Sequence, residues 1–333
     1  MTILILDPGF GARKLVGPDG AVQLPSQVAL QRSQQIHTET MGVQVSQPPL
    51  RIRDVDGRSY FVGADAHSWG TPIENLGYDN LVHTPEAMAL FYGAVTAYLR
   101  QSGLTALTEP ITLGLTLPQE MLKFSSDSKK RQQINAIKKA YKGLHQWWAD
   151  DQMITLVVGR VVITSQAMSA YFDYALGEDG CPIRGRIIPK GKEFGVVSLG
   201  HNTLELCVVR VNGRQLEEVY ELTRGFDQVG VSALLRMTDP QEHYSLGELD
   251  TQLRQGNLPY DRALDTWFNQ LKGIFKKTWP RWPRFAGLTV VGGGTMVLNG
   301  HLQELFEGKA TIPERPVFAV AEGLYKQLSK GSN

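Results

Sequence analysis

The sequence predicts an α/β protein built as two lobes. Its 333 residues exceed the length that one hydrophobic core usually organises, so two lobes are expected. Short apolar runs typical of buried strands alternate along the chain with segments whose apolar residues have helical spacing. Each half of the chain also opens with an apolar strand, a glycine-containing turn and a second apolar strand. Together these three observations favour the α/β class.

The first half begins with two predicted hairpins. The apolar run 3–6 leads into a glycine turn at 7–11, and a second apolar run at 14–16 follows at once. Residues 50–63 repeat this pattern, with Gly57 in the turn. Two β-runs that flank a glycine-rich turn are typical of antiparallel hairpins.

Helices and single strands are predicted for the rest of the first half. The predicted elements are a helix at 85–99, a strand at 111–117, a basic helix at 122–148, a strand at 157–163 and a helix at 165–176. The charged side chains of the basic helix are expected to face water, with a filament contact or an acidic partner as functional alternatives. A loop with Gly180, Pro182 and Gly185 marks the predicted break between the lobes.

The second half repeats the opening pattern and adds a third glycine cluster. The predicted elements are strands at 193–199, 204–211 and 288–291 and helices at 229–235, 260–279 and 317–328. The first two strands are joined by a turn at 200–202, and the third runs directly into Gly292, Gly293 and Gly294.

Composition excludes several classes of protein. With 34 basic and 33 acidic side chains the formal net charge is +1, which excludes a nucleic-acid binder that depends on bulk charge. Cys181 and Cys207 are too few and too far apart for a disulfide scaffold or a zinc cluster. No apolar run is long enough to cross a membrane, and the start lacks the basic flank of a signal peptide. We therefore expect a globular, cytoplasmic protein without direct nucleic-acid or membrane contacts.

The glycine clusters have the chemistry of a phosphate site. Turns of this kind present backbone N–H groups to an anion, and glycine lets a phosphate approach without a clash. Lys14 could then neutralise phosphate charge, and Asp7 could hold Mg²⁺ through water molecules. The glycines at 292–294 leave room for a flat base or a phosphate. Each feature alone also fits an ordinary hairpin or a flexible connector, and the sequence has no Walker A motif.

In chain order these motifs resemble those of the actin-like ATPases, most closely the plasmid-segregating ParM type and the archaeal actin-like proteins. The first turn is similar to the family's first phosphate loop, D-x-G-x-G-x-x-K, through Asp7, Gly9, Gly11 and Lys14. The second is similar to the second loop, D-L-G-x-x-T-L-D, through Leu199, Gly200, Thr203 and Leu204. Further similar segments are the adenosine loop at 290–295, a glycine-bearing loop at 225–230 and the lobe-connecting segments at 163–167 and 316–325.

The resemblance implies the actin/Hsp70-type fold, which is ribonuclease H-like, with a nucleotide cleft between two lobes. Lobe I would comprise residues 1–164 with the C-terminal helix 315–333, and lobe II would comprise residues 165–314. The cofactors implied are ATP, or GTP, together with Mg²⁺, which Asp7 would bind. The implied nucleotide contacts are Gly9, Gly11, Lys14, Gly200, His201, Asn202, Thr203, Gly230, Gly292, Gly293, Gly294 and Thr295.

Three residues are implied in hydrolysis. Asp7 would organise the water molecules of the metal, and Gln166 occupies the place of the residue that orients the attacking water. The third is Ser198, where the family's second loop begins with Asp, and Glu205 stands where that loop ends with Asp. Loss of the first carboxylate predicts nucleotide binding with slow hydrolysis, so the resemblance leaves the ATPase activity open.

The function implied is that of a nucleotide-dependent, filament-forming actin-like protein, in plasmid or DNA segregation or as a bacterial cytoskeletal element. Its partners would be further copies of itself and a DNA-bound adaptor protein. One alternative is a small-molecule kinase of the same superfamily, which needs a catalytic Asp that position 198 lacks. The other is a non-hydrolysing nucleotide-binding scaffold of the pilus-assembly or cell-shape type, which Ser198 favours.

Overall fold

The computed structural model describes residues 2–31, 48–74, 82–122, 128–212 and 215–330. Within these ranges the chain forms two mixed sheets with helices packed against their faces, so the predicted α/β class is confirmed. In this part of the chain no helix combines the length and the apolar character that a membrane span requires.

The first sheet has 10 strands, all from the first half of the chain. They are β1 (Ile3–Pro8), β2 (Ala12–Gly17), β3 (Gly20–Pro25), β4 (Val28–Leu30), β5 (Leu50–Asp54), β6 (Ser59–Val62), β7 (Thr71–Pro72), β8 (Ile111–Leu117), β9 (Gly143–Ala149) and β10 (Gln152–Ser165). Their spatial order is β3-β2-β1-β8-β10-β9-β5-β6-β4-β7. The hairpin of β1 and β2 is antiparallel, and β8 runs parallel to both β1 and β10.

The second sheet has 6 strands and repeats the central arrangement of the first. They are β11 (Glu193–Leu199), β12 (Thr203–Asn212), β13 (Gln215–Glu218), β14 (Arg224–Asp227), β15 (Leu288–Val291) and β16 (Ala310–Thr311). β11 forms an antiparallel hairpin with β12 and runs parallel to β15, as β1 does with β2 and β8. The predicted repeat of an opening hairpin in each half is therefore confirmed.

Helices cover both sheets and close two large apolar cores. They are α1 (Ala66–Trp69), α2 (Pro85–Gln101), α3 (Gln119–Leu122), α4 (Ser128–Tyr141), α5 (Gln166–Ala175), α6 (Val231–Thr238), α7 (Leu246–Arg254), α8 (Asp261–Thr278), α9 (Gly294–Leu305) and α10 (Ala319–Ser329). The first core joins α2 to the first sheet around Phe91 and Trp147. The second joins α6, α8 and α9 to the second sheet around Trp267 and Leu206. β8 is buried at every position, which explains its continuous apolar run.

Helices α5 and α10 form the layer between the two sheets, since α10 packs on β1 and α5 packs on β11. The helices cross where Gly323 meets the backbone of Ser169, and a Cβ at position 323 would overlap the Ser169 carbonyl oxygen. One turn further along, the Lys326 ammonium donates a hydrogen bond to the Asp173 carboxylate at 2.9 Å. Backbone contact at a helix crossing is possible only where a side chain is missing, so Gly323 sets the distance between these helices.

Most predicted elements occur close to their predicted bounds, but the predicted helix 122–148 is wrong at its C-terminal end. α4 ends at Tyr141, and the chain then forms β9, which pairs antiparallel with β10. Gly143 has a φ of 114°, which a helix cannot accommodate, and β9 buries alternate side chains in the first core. Residues 123–127 of that predicted helix lie outside the described residues.

Helix α7 was not predicted from the sequence, although the start of this helix carries a local signal. The Ser245 hydroxyl accepts a hydrogen bond from the backbone N–H of Glu248, and the Glu248 carboxylate accepts one from the backbone N–H of Ser245. This reciprocal pair is a capping box, which the spacing S-x-x-E before an apolar residue indicates.

Gly323→Ala is expected to lower the free energy of unfolding by about 1–3 kcal/mol, the usual cost of overpacking. The new Cβ meets the Ser169 carbonyl oxygen, so α5 and α10 must move apart. Gly273→Ala in α8 is the matched control, because a Cβ there meets nothing within 4 Å and Ala is the better helix former. Urea unfolding measures both variants, and equal stability of the two would contradict the proposed contact.

Candidate functional site

A cavity of about 420 Å³ opens between the two sheets. Its walls come from the two hairpin turns, the third glycine cluster and the helices α5 and α10. The sequence-predicted site residues that line it are Asp7, Gly9, Gly11, Lys14, Gln166, Ser198, Gly200, His201, Thr203, Gly292 and Gly293. The structure therefore brings most of the predicted residues to one cavity, whose volume is typical of small-molecule sites.

The carboxylate of Asp7 is held from three sides at the base of this cavity. Its Oδ2 accepts a hydrogen bond from the Lys14 ammonium at 3.0 Å. Its Oδ1 accepts hydrogen bonds from Thr116 Oγ1 at 2.8 Å and from Gln166 Nε2 at 2.9 Å. These donors lie on β2, β8 and α5, so the carboxylate joins the hairpin, the neighbouring parallel strand and the helix between the sheets.

Positive charge compensates for the burial of the Asp7 carboxylate. The Lys14 ammonium forms an ion pair with it. Arg13, the preceding residue on β2, is also buried, and burial lowers the pKa of its guanidinium to about 10, an effect that Tyr141 and Asp7 partly oppose. A guanidinium with that pKa keeps its charge at neutral pH, so the Asp7 carboxylate lies in a positive field.

Glycine at positions 9 and 11 lets the first turn make close contacts. A Cβ at position 9 would lie 2.6 Å from Lys14 Nζ, and a Cβ at position 11 would lie 2.5 Å from the Cβ of His201. Ser26 Oγ donates a hydrogen bond to the Gly9 carbonyl oxygen at 2.8 Å and fixes the turn. The first and second turns therefore meet directly at Gly11, which carries no side chain that would separate them.

His201 connects the second turn to α7. Its Nδ1 lies 3.6 Å from Asp250 Oδ1, and the other oxygen of Asp250 accepts a hydrogen bond from Arg254 Nε at 2.6 Å. Burial favours protonation of Asp250, but the hydrogen bonds and charges of His201 and Arg254 lower its pKa below the ordinary value. The ionised carboxylate of Asp250 thus holds His201 against the first turn.

The structure places four predicted nucleotide contacts outside the lining of this cavity: Asn202, Gly230, Gly294 and Thr295. Asn202, Gly230 and Thr295 hold the turns instead. The N–H groups of Gly230, Val231 and Ser232 donate to carbonyl oxygens of the second turn at 3.2, 3.1 and 2.6 Å. Thr295 Oγ1 likewise donates to the Gly292 carbonyl oxygen at 2.6 Å. The first N–H groups of α6 are therefore engaged within the protein and do not face an anion.

Part of the cavity lining is apolar, and its side chains are Leu253, Tyr260, Met296, Val297, Val317 and Val320. Gly292 has a φ of 97°, and a Cβ there would overlap the Leu199 carbonyl oxygen. At Gly293 a Cβ would meet nothing within 4 Å, so this backbone is open to the cavity. A flat ring could lie against it, since apolar walls with few polar groups are typical of such pockets.

Ser198 faces a buried carboxyl group to which the sequence analysis assigned no role. In the register of β11 and β12, Ser198 lies directly opposite Glu205. Glu205 is 2% exposed, and its carboxyl hydrogen-bonds to the backbone of Gln119. Burial is the main cause that raises the pKa of this carboxyl to about 8, and nearby carboxylates add to the effect, namely those of Glu218, Glu120 and Asp7. Its place at the end of the second loop motif is the signal that could have identified it.

These features fit a nucleotide whose phosphates lie at the two turns and whose base lies against the apolar part of the lining. A metal ion would need other ligands besides protein, because both oxygens of Asp7 already accept hydrogen bonds. In the ranges that the structure describes, no group of three or more His, Cys, Asp or Glu side chains could hold a metal. Mg²⁺ suits this arrangement, since it retains water molecules and binds phosphate oxygens.

The raised pKa of Glu205 predicts that the protein loses stability as the pH rises. The folded state holds this proton more tightly than the unfolded chain does, so the free energy of unfolding should fall between pH 4.5 and about pH 8. Glu205→Gln cannot ionise, and its stability should fall less over that range. Glu221→Gln removes an exposed carboxylate nearby and is the control. Urea unfolding near both ends of the range measures the change, and an unaltered pH dependence in Glu205→Gln would contradict the prediction.

Comparison with known proteins supports the two-lobed fold. Residues 6–168 match the family described as actin like proteins N terminal domain. A search of curated protein sequences found no significant match. Similar solved structures include a pCBH ParM non-polymerisable quadruple mutant (TM-score 0.74, 19% identity), the archaeal actin homolog Ta0583 in complex with ADP (0.69, 19%) and a 15-stranded ParM filament from Clostridium botulinum (0.69, 17%). In the same order, the alignments cover 99%, 99% and 98% of this chain. They cover 99%, 100% and 99% of the other chains. Residues 6–168 are therefore similar to the N-terminal domain of actin-like proteins, and the whole chain has the actin-like, two-lobed fold.

Proposed function

We propose that this chain is an actin-like filament protein that binds ATP or GTP with Mg²⁺ and assembles according to the nucleotide bound. The observation that carries this proposal is the meeting of two glycine turns and the Asp7 carboxylate in one cavity between two sheets. Two structures of the same fold support it, because one is a complex with ADP and the other is a filament.

In the proposed complex the phosphates bind between the two turns. Backbone N–H groups of the turns and the Lys14 ammonium donate hydrogen bonds to the phosphate oxygens. Mg²⁺, when bound, supplies positive charge that stabilises those oxygens. Oδ2 of Asp7 accepts one hydrogen bond and keeps a lone pair, so the carboxylate can also accept a hydrogen bond from water.

Gln166 is the residue proposed to orient the attacking water. Its Nε2 donates to Asp7 Oδ1 at 2.9 Å, which fixes the amide and leaves its oxygen available to accept a hydrogen bond from water. Hydrolysis of a phosphate chain depends mainly on positioning and on charge stabilisation, so a neutral amide is sufficient for this role.

A second candidate function is a scaffold that binds nucleotide and hydrolyses it slowly. The observation that favours it is Ser198, which lines the cavity with a neutral hydroxyl where the second loop of similar proteins begins with Asp. Such a protein would assemble with nucleotide and stay assembled, whereas efficient hydrolysis would weaken its contacts.

Assembly would follow from a contact between different faces of neighbouring copies. A contact of this kind, repeated by a rotation that does not close, produces a filament. We assign residues 1–164 and 315–333 to lobe I, since α10 packs on β1, and residues 165–314 to lobe II. We further propose that the filament acts in the cytoplasm on plasmid DNA through an adaptor protein.

Lys14→Ala is expected to weaken nucleotide binding by about one to two orders of magnitude, because it removes a charge-assisted hydrogen bond to phosphate. Titration with a fluorescent ADP analogue measures the affinity. Lys139→Ala removes an exposed lysine of α4 and is the control, with an affinity expected to match the parent. Equal affinities of all three proteins would contradict a phosphate site at the first turn.

Sedimentation with a phosphate assay tests the filament. The protein is incubated with Mg²⁺ and ATP, GTP, ADP or no nucleotide, pelleted at high speed and assayed for released phosphate. We expect pelleting that depends on nucleoside triphosphate. Phosphate release alongside it indicates a dynamic filament, and pelleting without release indicates the scaffold. Protein that stays in the supernatant under every condition would contradict filament formation.

A further inference from the structure

A network of hydrogen bonds joins the two lobes outside the proposed nucleotide cavity. Gln27 follows β3 of the first sheet, and its Nε2 donates hydrogen bonds to the Gly247 carbonyl oxygen at 3.1 Å and to Thr251 Oγ1 at 3.2 Å. Thr251 Oγ1 in turn donates to the Gly247 carbonyl oxygen at 3.0 Å. Both acceptors belong to α7, which packs on the second core through Leu249. We call these contacts of Gln27, Gly247 and Thr251 the inter-lobe bridge.

The inter-lobe bridge is buried and closely packed. Gln27 is 7% exposed, and its amide nitrogen carries two hydrogens, one for each acceptor. A Cβ at position 247 would lie 2.9 Å from Nδ1 of His67, a residue of α1, and 3.3 Å from Gln27 Cδ. Glycine at position 247 therefore lets α7 lie directly against two side chains of the first lobe.

A second cavity, of about 360 Å³, is lined both by the inter-lobe bridge and by the two turns. Its lining includes Gln27 and Gly247 as well as Gly11 and His201. Of these four residues, Gly11 and His201 also line the proposed nucleotide cavity, whereas Gln27 and Gly247 do not. The contact between the turns thus separates the bridge from the phosphate site, and a nucleotide bound at that site does not contact the bridge.

The first-lobe end of the inter-lobe bridge is connected to the first turn. Ser26, the residue before Gln27, donates a hydrogen bond from its backbone N–H to the Gly11 carbonyl oxygen at 3.1 Å. The Ser26 hydroxyl donates to the Gly9 carbonyl oxygen at 2.8 Å. Movement of the first turn away from the second therefore moves Gln27 with it.

The second-lobe end is connected to the second turn through α7. Asp250 lies three residues after Gly247 and one residue before Thr251, so Gly247 shares a face of the helix with both. The buried carboxylate of Asp250 lies 3.6 Å from His201 Nδ1. The acceptors of the inter-lobe bridge therefore move together with the second turn.

Entry of a phosphate chain between the turns requires the turns to separate. A Cβ at position 11 would lie 2.5 Å from the Cβ of His201, so the contact leaves no room for a phosphate between these two residues. Because the first turn carries Gln27 and the second turn carries α7, separation of the turns breaks the hydrogen bonds of the inter-lobe bridge.

We propose that the inter-lobe bridge sets the rate of nucleotide exchange by holding the two turns together both with and without bound nucleotide. This inference rests on the proposed nucleotide function. The bridge breaks on the way in and on the way out, so it adds equally to both barriers and leaves the affinity unchanged. Gln27 is a positioning residue, since it does not contact the nucleotide.

Stopped-flow kinetics with a fluorescent ADP analogue and Mg²⁺ test this proposal. Gln27→Leu keeps most of the side-chain volume and removes the N–H donors. We expect its association and dissociation rate constants both to rise about tenfold, the effect of losing two hydrogen bonds. Its dissociation constant, measured separately by equilibrium titration, should equal that of the parent.

Gly247→Ala tests the inter-lobe bridge from the other lobe. The new Cβ meets His67 and Gln27, whereas Ala favours the helix itself, so both rate constants should again rise. This variant carries the test if Gln27→Leu fails to fold, which thermal unfolding shows. Gln101→Leu is the matched control, because Gln101 Nε2 donates to the Ala21 carbonyl oxygen at 3.1 Å within the first lobe. Its rate constants should equal those of the parent.

The outcomes separate this inference from the proposed function. Unchanged rate constants in both bridge variants would overturn the inference, as would an equal rise in Gln101→Leu, which would indicate a general loosening of the fold. A change confined to one of the two rate constants would also overturn it, because the bridge would then differ between the free and the bound protein. In all these cases the parent binds the analogue and the proposed function stands. A parent that binds no analogue would overturn the proposed function and this inference together.

Discussion

The geometry of the site depends on the hydrogen bonds and the ion pair that the buried carboxylate of Asp7 makes. A carboxylate can be buried only when charge and hydrogen bonds compensate for the loss of water, and here the compensation comes from Lys14, Thr116 and Gln166. Those donors are brought together by a hairpin, by the parallel pairing of β1 with β8 and by the start of α5. Satisfying this group therefore fixes the position of the first turn relative to the helix between the sheets.

The features that the sequence predicted well are those that local chemistry determines. The opening hairpins follow from apolar runs around glycine turns, and the strand before Gly292 follows from its continuous apolar character. Family motifs predicted Asp7, Lys14 and Gln166 as one site. In the structure, Lys14 and Gln166 both donate hydrogen bonds to the Asp7 carboxylate.

The features that the sequence did not reveal depend on distant parts of the chain. β9 contains residues that could continue a helix, and its pairing with β10 and β5, which come from other parts of the chain, makes it a strand. The burial of Glu205 arises from elements far apart in sequence, so a charged residue at the end of a motif gave no indication of a raised pKa. The same holds for Asn202 and Gly230, which hold the second turn to α6 and do not line the cavity.

The crossing of α5 and α10 at Gly323 has a mechanical consequence. Helices that contact each other through side chains can slide past each other, because the side chains between them can change rotamer. Here the two backbones are in direct contact, so no such side chains lie between them. If the angle between the two sheets changes, the sheets must therefore rotate relative to each other about this crossing. Rotation about a fixed axis displaces each atom in proportion to the distance of that atom from the axis. A small rotation about the crossing therefore moves the outer edges of both sheets further than the residues beside it.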